Sequence, residues 1–305
     1  MAIDVARGQI SNLLMPLLTG PWPARATWAL LPLLVGPALG GALAEHSLAV
    51  ARTGSVLAWG AWVGGLVAVM VPTTVSLTVV RIASPAALAA SLWAALAGDP
   101  GVPDALAVGG AAVAVVAAFS PTTGDVFVNG SSYGDERRLP LRVPGALVFG
   151  PVPLAAAAAV AGPVAGPLLL AAEQWALGAL ALAAGLPVAF VAVRALHGLA
   201  RRWLVLVPAG VVLHDQHVLA EPVLFPGRTI RRLAPAPIDE ATGALDLTQR
   251  AFGLALLLEL DQPVAISPRR SDRSVAVGSV ERLLLTPTRP GAVLRAAADR
   301  RIARG

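Results

Sequence analysis

The chain has 305 residues, 56% of them hydrophobic and only 13% charged, with a formal net charge of +5. Its mean hydropathy is +0.72 and its pI about 11.2. A water-soluble globular domain cannot bury that much apolar surface, so the composition reads as an integral membrane protein. The absence of cysteine excludes disulfides, thiolate metal sites, haem attachment and cysteine catalysis.

No Lys occurs, so every fixed positive charge is Arg, and most Arg, Asp and Glu lie after residue 193. The Arg are unclustered. They read as cytoplasmic-side charges near anionic lipid headgroups rather than as a nucleic-acid footprint.

In residues 1–25, Ile10, Leu13, Leu14 and Leu17 share one helix face, the pattern of an interfacial amphipathic helix. A cleaved signal peptide fits less well, because Asn12 and Pro16 break the apolar run and Asp4 offsets Arg7.

Residues 26–202 read as an α-helical transmembrane bundle. Apolar spans are expected at Thr27–Ala44, Gly54 to about Val79, Ala86–Gly98, Asp104–Phe119 and Gly145–Val164. Arg81 and the Ser84-Pro85 pair separate the second span from a short third one. The last span begins after Glu173-Gln174 and is uncharged from Trp175 to Val193, about 19 residues, enough to cross a ~30 Å hydrocarbon layer. Its basic flank, Arg194, His197, Arg201 and Arg202, marks the cytoplasmic side. The C-terminal flank, the Arg137, Arg138 and Arg142 loop, Arg81 and the Arg7–Arg25 segment can all be cytoplasmic only if Ala86–Gly98 crosses, which gives six spans in the plasma membrane with both termini cytoplasmic. With five, either Arg7 and Arg25 or the Arg137, Arg138 and Arg142 loop is misplaced.

Between spans lies the polar stretch 122–143. Its Asn129-Gly130 pair, flanked by Val126 and Val128, suggests a small hairpin, and Asp135, Glu136, Arg137 and Arg138 suggest ion pairs or a partner surface.

From Trp203 the pattern changes to short alternating strands. Leu204–Val207, the turn Pro208-Ala209-Gly210 and Val211–Asp215 make a hairpin. Further strands are expected at Pro222–Phe225, Thr229–Leu233, Leu245–Leu247, Leu254–Leu260, Val264–Ser267 and Val280–Leu285. A helix starts at Pro290 with Val293, Leu294 and Ala297 on its apolar face. Residues 203–305 thus predict a small antiparallel β-barrel or sandwich with a C-terminal helix. The opening RWLVLVPAGVVLHD, the LLLEL-DQPVAIS hairpin and the closing ERLLLTPTRPGAVLRAAADRR resemble the bacterial pleckstrin-homology-like domains that follow membrane spans. The resemblance covers the last third of the chain and implies a cytosolic binding or scaffolding module rather than an enzyme.

The candidate binding residues are Arg81, Asp135, Glu136, Arg137, Arg138, Glu173, Arg194, Arg228, Arg231 and Arg232. Arg81, Glu173 and Arg194 qualify as ionisable groups in or beside spans, where charge is costly. Arg81 also reads as a snorkelling interface residue, and Arg194 as a topology determinant. Arg228, Arg231 and Arg232 are candidates for anionic headgroups, or else a solvated strand face. His214-Asp215-Gln216-His217 has metal-compatible spacing but no third ligand in sequence. No nucleotide, nucleophile or zinc motif is present, and no cofactor is implied. The expectation is a non-enzymatic membrane protein whose β-domain binds a protein partner. The alternative is a transporter or channel subunit for a small or lipidic substrate.

Overall fold

In the computed structural model, residues 20–236, 243–267 and 278–302 are described. The amphipathic segment expected around Ile10–Leu17 lies outside them. The chain forms two compact units. The first comprises Met1–Gly130 and Leu154–Leu196, the second Ser131–Pro153 and His197–Gly305.

The first unit is helical: α1 (Trp22–Ala44), α2 (Leu48–Met70), α3 (Thr74–Ala97), α4 (Val102–Phe119), the short α5 (Pro121–Asn129), and the pair α7 (Pro151–Ala171) and α8 (Trp175–Ala200), whose ends reach into the second unit. A four-residue helix, α6 (Gly145–Val148), precedes α7 in the second unit. Among the described residues, six helical stretches are long and apolar enough to cross a membrane, which makes this a multi-pass membrane protein.

Two span boundaries differ from the sequence reading. The second helix ends at Met70, and the third is not a short segment after Ser84-Pro85 but a full helix from Thr74 to Ala97 containing both Arg81 and Pro85. The chain breaks at Pro72, and Thr73 starts the next helix by accepting a hydrogen bond from the Ser76 N–H. Pro85 stays inside the helix, as proline does in apolar bundles where neighbouring groups re-satisfy the backbone. The last span starts at Trp175 as expected and runs to Ala200, and the one before it extends past Val164 to Ala171.

α1 packs against α2, α3 and α4. Two tryptophans lock α1 to α2 reciprocally: Trp28 Nε1 donates to the Trp62 carbonyl (2.9 Å) and Trp62 Nε1 to the Trp28 carbonyl (3.0 Å). Gly65 makes room for the indole, since a Cβ there would fall 1.9 Å from Trp28. α7 and α8 approach still more closely. A Cβ on Gly162 would sit 2.5 Å from the Gly185 Cα, so the two backbones touch, the small-residue contact favoured in lipid. Their connection is a Schellman turn in which Glu173 N–H donates to the Leu170 carbonyl and Gln174 N–H to the Leu169 carbonyl, with Glu173 at φ 60°.

The second unit holds two four-stranded sheets and a terminal helix. One sheet runs β1 (Arg137–Pro140), β2 (Trp203–Val207), β3 (Gly210–His214), β4 (Val223–Pro226). The other has the order β5 (Ile230–Pro235), β7 (Leu256–Ile266), β8 (Gly278–Leu285), β6 (Leu245–Asp246). The expected hairpin β2–β3 forms, paired Trp203 to His214 through Val207 to Gly210. The sheets do not close into a barrel, and one pair, β6 with β8, is parallel rather than antiparallel. LLLEL-DQPVAIS is not a hairpin but one strand, β7. The turn-like Asp261-Gln262-Pro263 is taken up as an irregularity between Glu259 and Val264 opposite β8.

The stretch 122–143 departs most from expectation. It makes no hairpin at Asn129-Gly130. Ser120 caps α5 by accepting from the Thr123 N–H, and Gly130 follows the helix end where a Cβ would collide with the Pro72 carbonyl at 2.0 Å. Arg137–Pro140 is then a strand, pairing antiparallel with β2 from Arg137 opposite Leu206 to Pro140 opposite Trp203. The β-unit is thus a composite of one segment between spans and one after the last.

Its core is built from alternate strand positions: Leu204 and Leu206, Leu256, Leu258 and Leu260, and Leu283 and Leu285 are all buried in one cluster with Phe225. The terminal helix α9 (Pro290–Asp299) covers this cluster with Ala292, Val293, Ala296 and Ala297.

Candidate functional site

Arg81 lies in α3, one turn from its buried neighbours Thr78 and Ser84. Its Nε donates to the Ala118 carbonyl at 3.5 Å, and its guanidinium lies 5.5 Å from the Phe119 ring centroid. Its Nη2 approaches Gly124 of α5, where a Cβ would be 3.2 Å away. Thr123 and Asp125 of α5 are buried as well. Thr123 Oγ1 donates to the Ala117 carbonyl at 2.8 Å, turning α5 back along α4. The fully buried Ser84 hydroxyl has no hydrogen-bond partner among the described residues. Polar groups therefore converge on Arg81 inside an apolar helical unit. The sequence reading singled out Arg81 but not Asp125, because the Asn129-Gly130 turn signal hid a helix that buries it.

In the β-unit, Glu136 and Arg138 are brought together. Arg138 Nη2 donates to Glu136 Oε1 at 2.6 Å, Nη1 to Ser131 Oγ at 3.1 Å, and the same Glu136 oxygen accepts the Tyr133 N–H at 2.8 Å. That backbone hydrogen bond, then Arg138, holds the Glu136 carboxyl below its ordinary range. Arg138 also lies 5.5 Å from the Trp203 ring, and Trp203 stacks on His214 at 5.1 Å and 12°. Because β2 runs between β1 and β3, the indole is flanked from both neighbouring strands. Burial, then Arg201, lowers the His214 pKa, so its ring is neutral at pH 7.

Beside this stack lies the group sequence reading assigned only to topology. Arg202 is 2% exposed and forks onto Asp215, Nε to Oδ1 at 2.9 Å and Nη2 to Oδ2 at 2.6 Å. Its Nη1 donates to the Arg142 carbonyl at 2.9 Å, and Asp215 Oδ1 also accepts the His217 N–H at 3.1 Å. Asp215 is therefore committed to a bidentate ion pair. No local signal links residues 142, 202 and 215; only the composite sheet brings them together.

The remaining candidates are dispersed. Asp135 and Arg137 are exposed, and the Asp135 carbonyl accepts from Arg300 Nη2 at 2.6 Å. Glu173 is exposed and serves as the left-handed residue of the α7–α8 turn. Arg194 is exposed on α8, and Arg228 is exposed in the 3-10 turn before β5. Arg231 pairs with Asp261 at 2.8 Å, both more than half exposed, and Asp261 raises the Arg231 pKa. Arg232 stands opposite Glu259 in the sheet.

No protein family, curated protein or solved structure matches this chain.

Proposed function

We propose that this is a membrane-held binding module: a non-enzymatic protein of the plasma membrane whose β-unit recruits or regulates a protein partner on the cytoplasmic face. The observation that carries the reading is the pairing of β1 with β2. Residues 137–140 precede α7 and residues 203–207 follow α8, so a shared sheet requires both segments on one side of the bilayer and makes α7–α8 a hairpin across it. With four spans before α5, the amino-terminal segment joins the β-unit on that side. Arg25, Arg137, Arg138, Arg142, Arg201 and Arg202 all fall on that side in this topology, and their excess supports a cytoplasmic reading. The module is joined to the spans at more than one point of the chain instead of following one linker. The pleckstrin-homology-like pattern of the last third supports the same reading.

The test is crosslinking and affinity purification of the intact chain from its own membrane, beside a chain ending at Arg202. A partner retained by the first and lost by the second is expected. Equal recovery by both, or none by either, overturns the reading.

One observation favours a transporter or channel subunit instead: Thr78, Arg81, Ser84, Thr123 and Asp125 gather in the helical unit, where buried polar groups mark ion and substrate paths. Ion flux in proteoliposomes that Arg81→Gln abolishes would decide for that alternative.

A further inference from the structure

Of the bulky side chains that the β-unit exposes, three fall in two segments that meet: Phe149 is 81% exposed, Phe252 58% and Leu254 52%, with Tyr133 and Leu224 exposed elsewhere. Phe149 and Phe252 are distant in sequence, yet their rings meet edge to face at 5.8 Å. The loop that carries Phe252 is clamped. Gly145 lies so close beneath it that a Cβ would fall 2.3 Å from the Arg250 carbonyl. Gly253, at φ 119°, lies against the Arg142 guanidinium, where a Cβ would be 2.7 Å from Nε. Gln249 and Arg250 both hold left-handed backbone, at φ 51° and 55°. Two consecutive non-glycine residues in that region are strained, which surrounding contacts must offset. The strain and the close fits fix Phe252 against Phe149 rather than folding it into the core.

Chain continuity says what faces this pair. Phe149 stands two residues before α7. The apolar stretch that crosses here starts at Gly145, and the 21 residues of α7 within it rise about 31 Å, close to a ~30 Å hydrocarbon core. Pro151 then sits near one edge of the core. Phe149, within about 7 Å of it along the chain, lies in the headgroup layer. Aromatic rings prefer that depth, and the exposed Arg250 beside the pair suits anionic headgroups.

We infer that Phe149, Phe252 and Leu254, with Arg250, form an interfacial foot by which the β-unit inserts into the bilayer surface. The inference rests on α7 spanning the membrane and is independent of whether the β-unit binds a protein. It predicts that loop 248–254, about 50 residues after the last span, reports lipid contact as strongly as the residue that borders α7.

Because the chain has no cysteine, single-cysteine probes test it cleanly in the full-length protein. Phe149→Cys, Phe252→Cys, Leu254→Cys and, as a solvent control, Arg231→Cys would carry an environment-sensitive fluorophore. The proteins would be reconstituted in phosphatidylcholine–phosphatidylglycerol vesicles with shallow spin-labelled lipid. The expected result is a blue shift and strong quenching at 149, 252 and 254 but not at 231, with Arg250→Gln weakening quenching at 252. Quenching at 149 without quenching at 252 and 254 overturns the foot. A blue shift at 252 without lipid quenching means that protein covers the patch and also overturns it. No quenching at 149 removes the spanning premise and the proposal with it, whatever the partner experiment gives.

Discussion

The Arg202–Asp215 pair gives the sharpest test of how the β-unit is held together. Both side chains are 2% exposed, so solvent does not screen them. Asp215→Ala leaves a buried guanidinium with only the Arg142 carbonyl as acceptor, and removing one partner of a buried pair costs about 3–5 kcal/mol. That is a large share of the 5–15 kcal/mol, roughly, that stabilises a typical domain. Replacing both, Arg202→Met with Asp215→Leu, removes the uncompensated charge. It orphans the Arg142 carbonyl and the His217 N–H, so about 1–3 kcal/mol is lost instead. The double change is therefore less harmful than Asp215→Ala alone. Urea-titrated pulse proteolysis of the full chain in micelles, scoring cleavage in residues 203–302, measures all variants. Additive losses, or an Asp215→Ala cost below about 1 kcal/mol, would refute the reasoning, because additivity denies that the two charges interact.

Three further outcomes are expected. Glu173→Gly at the α7–α8 turn relieves a left-handed backbone at φ 60° and raises stability by about 1 kcal/mol in a thermal melt; a lowered midpoint would give the carboxylate a role the turn does not explain. Gly162→Leu pushes a side chain into the Gly185 backbone and costs about 1–3 kcal/mol or more, read as loss of the folded band in a detergent-challenge assay. His214 has its pKa lowered by burial, so the unfolded chain binds the proton first as pH falls, and stability drops below about pH 6.5. Glu136 has a lowered carboxyl pKa, so its contribution is present above about pH 4.3 and is lost only in more acid solution. His214→Gln should therefore flatten the stability slope just below about pH 6.5, and an unchanged slope would assign it elsewhere.

What the sequence disclosed follows the range of the forces involved. Spans and the β2–β3 hairpin are set by neighbouring residues, and they were legible. Hydropathy alone misplaced the second and third spans because Pro72 and Pro85 look alike locally. What separates them is Thr73, which caps α3, and Arg81, whose charge reads as a loop until α4 supplies both a carbonyl and an aromatic face. β1 could not be seen, since Arg-Arg-Leu-Pro has neither the length nor the alternation of a strand and gains both faces only from β2. The same nonlocality hid Arg202–Asp215, while Asp261-Gln262-Pro263 imitated a turn that β7 absorbs.

The insertion of β1 between spans also orders assembly. Closing the first sheet needs residues 137–140 and 203–207 on the same side, and α7 and α8 must both cross before they meet. Until then Leu139, Leu204 and Leu206, each at most 1% exposed in the folded unit, lack their neighbours. Leaving three such leucines uncovered forfeits about 1.5–3 kcal/mol apiece. The Arg202 fork closes at the same step, because its third acceptor is the carbonyl of Arg142, two residues beyond β1. A chain whose α7–α8 hairpin failed to insert would thus be left with an unfinished hydrophobic core and one fewer acceptor for a buried guanidinium. The composite sheet makes a folded β-unit conditional on correct insertion of the last two spans.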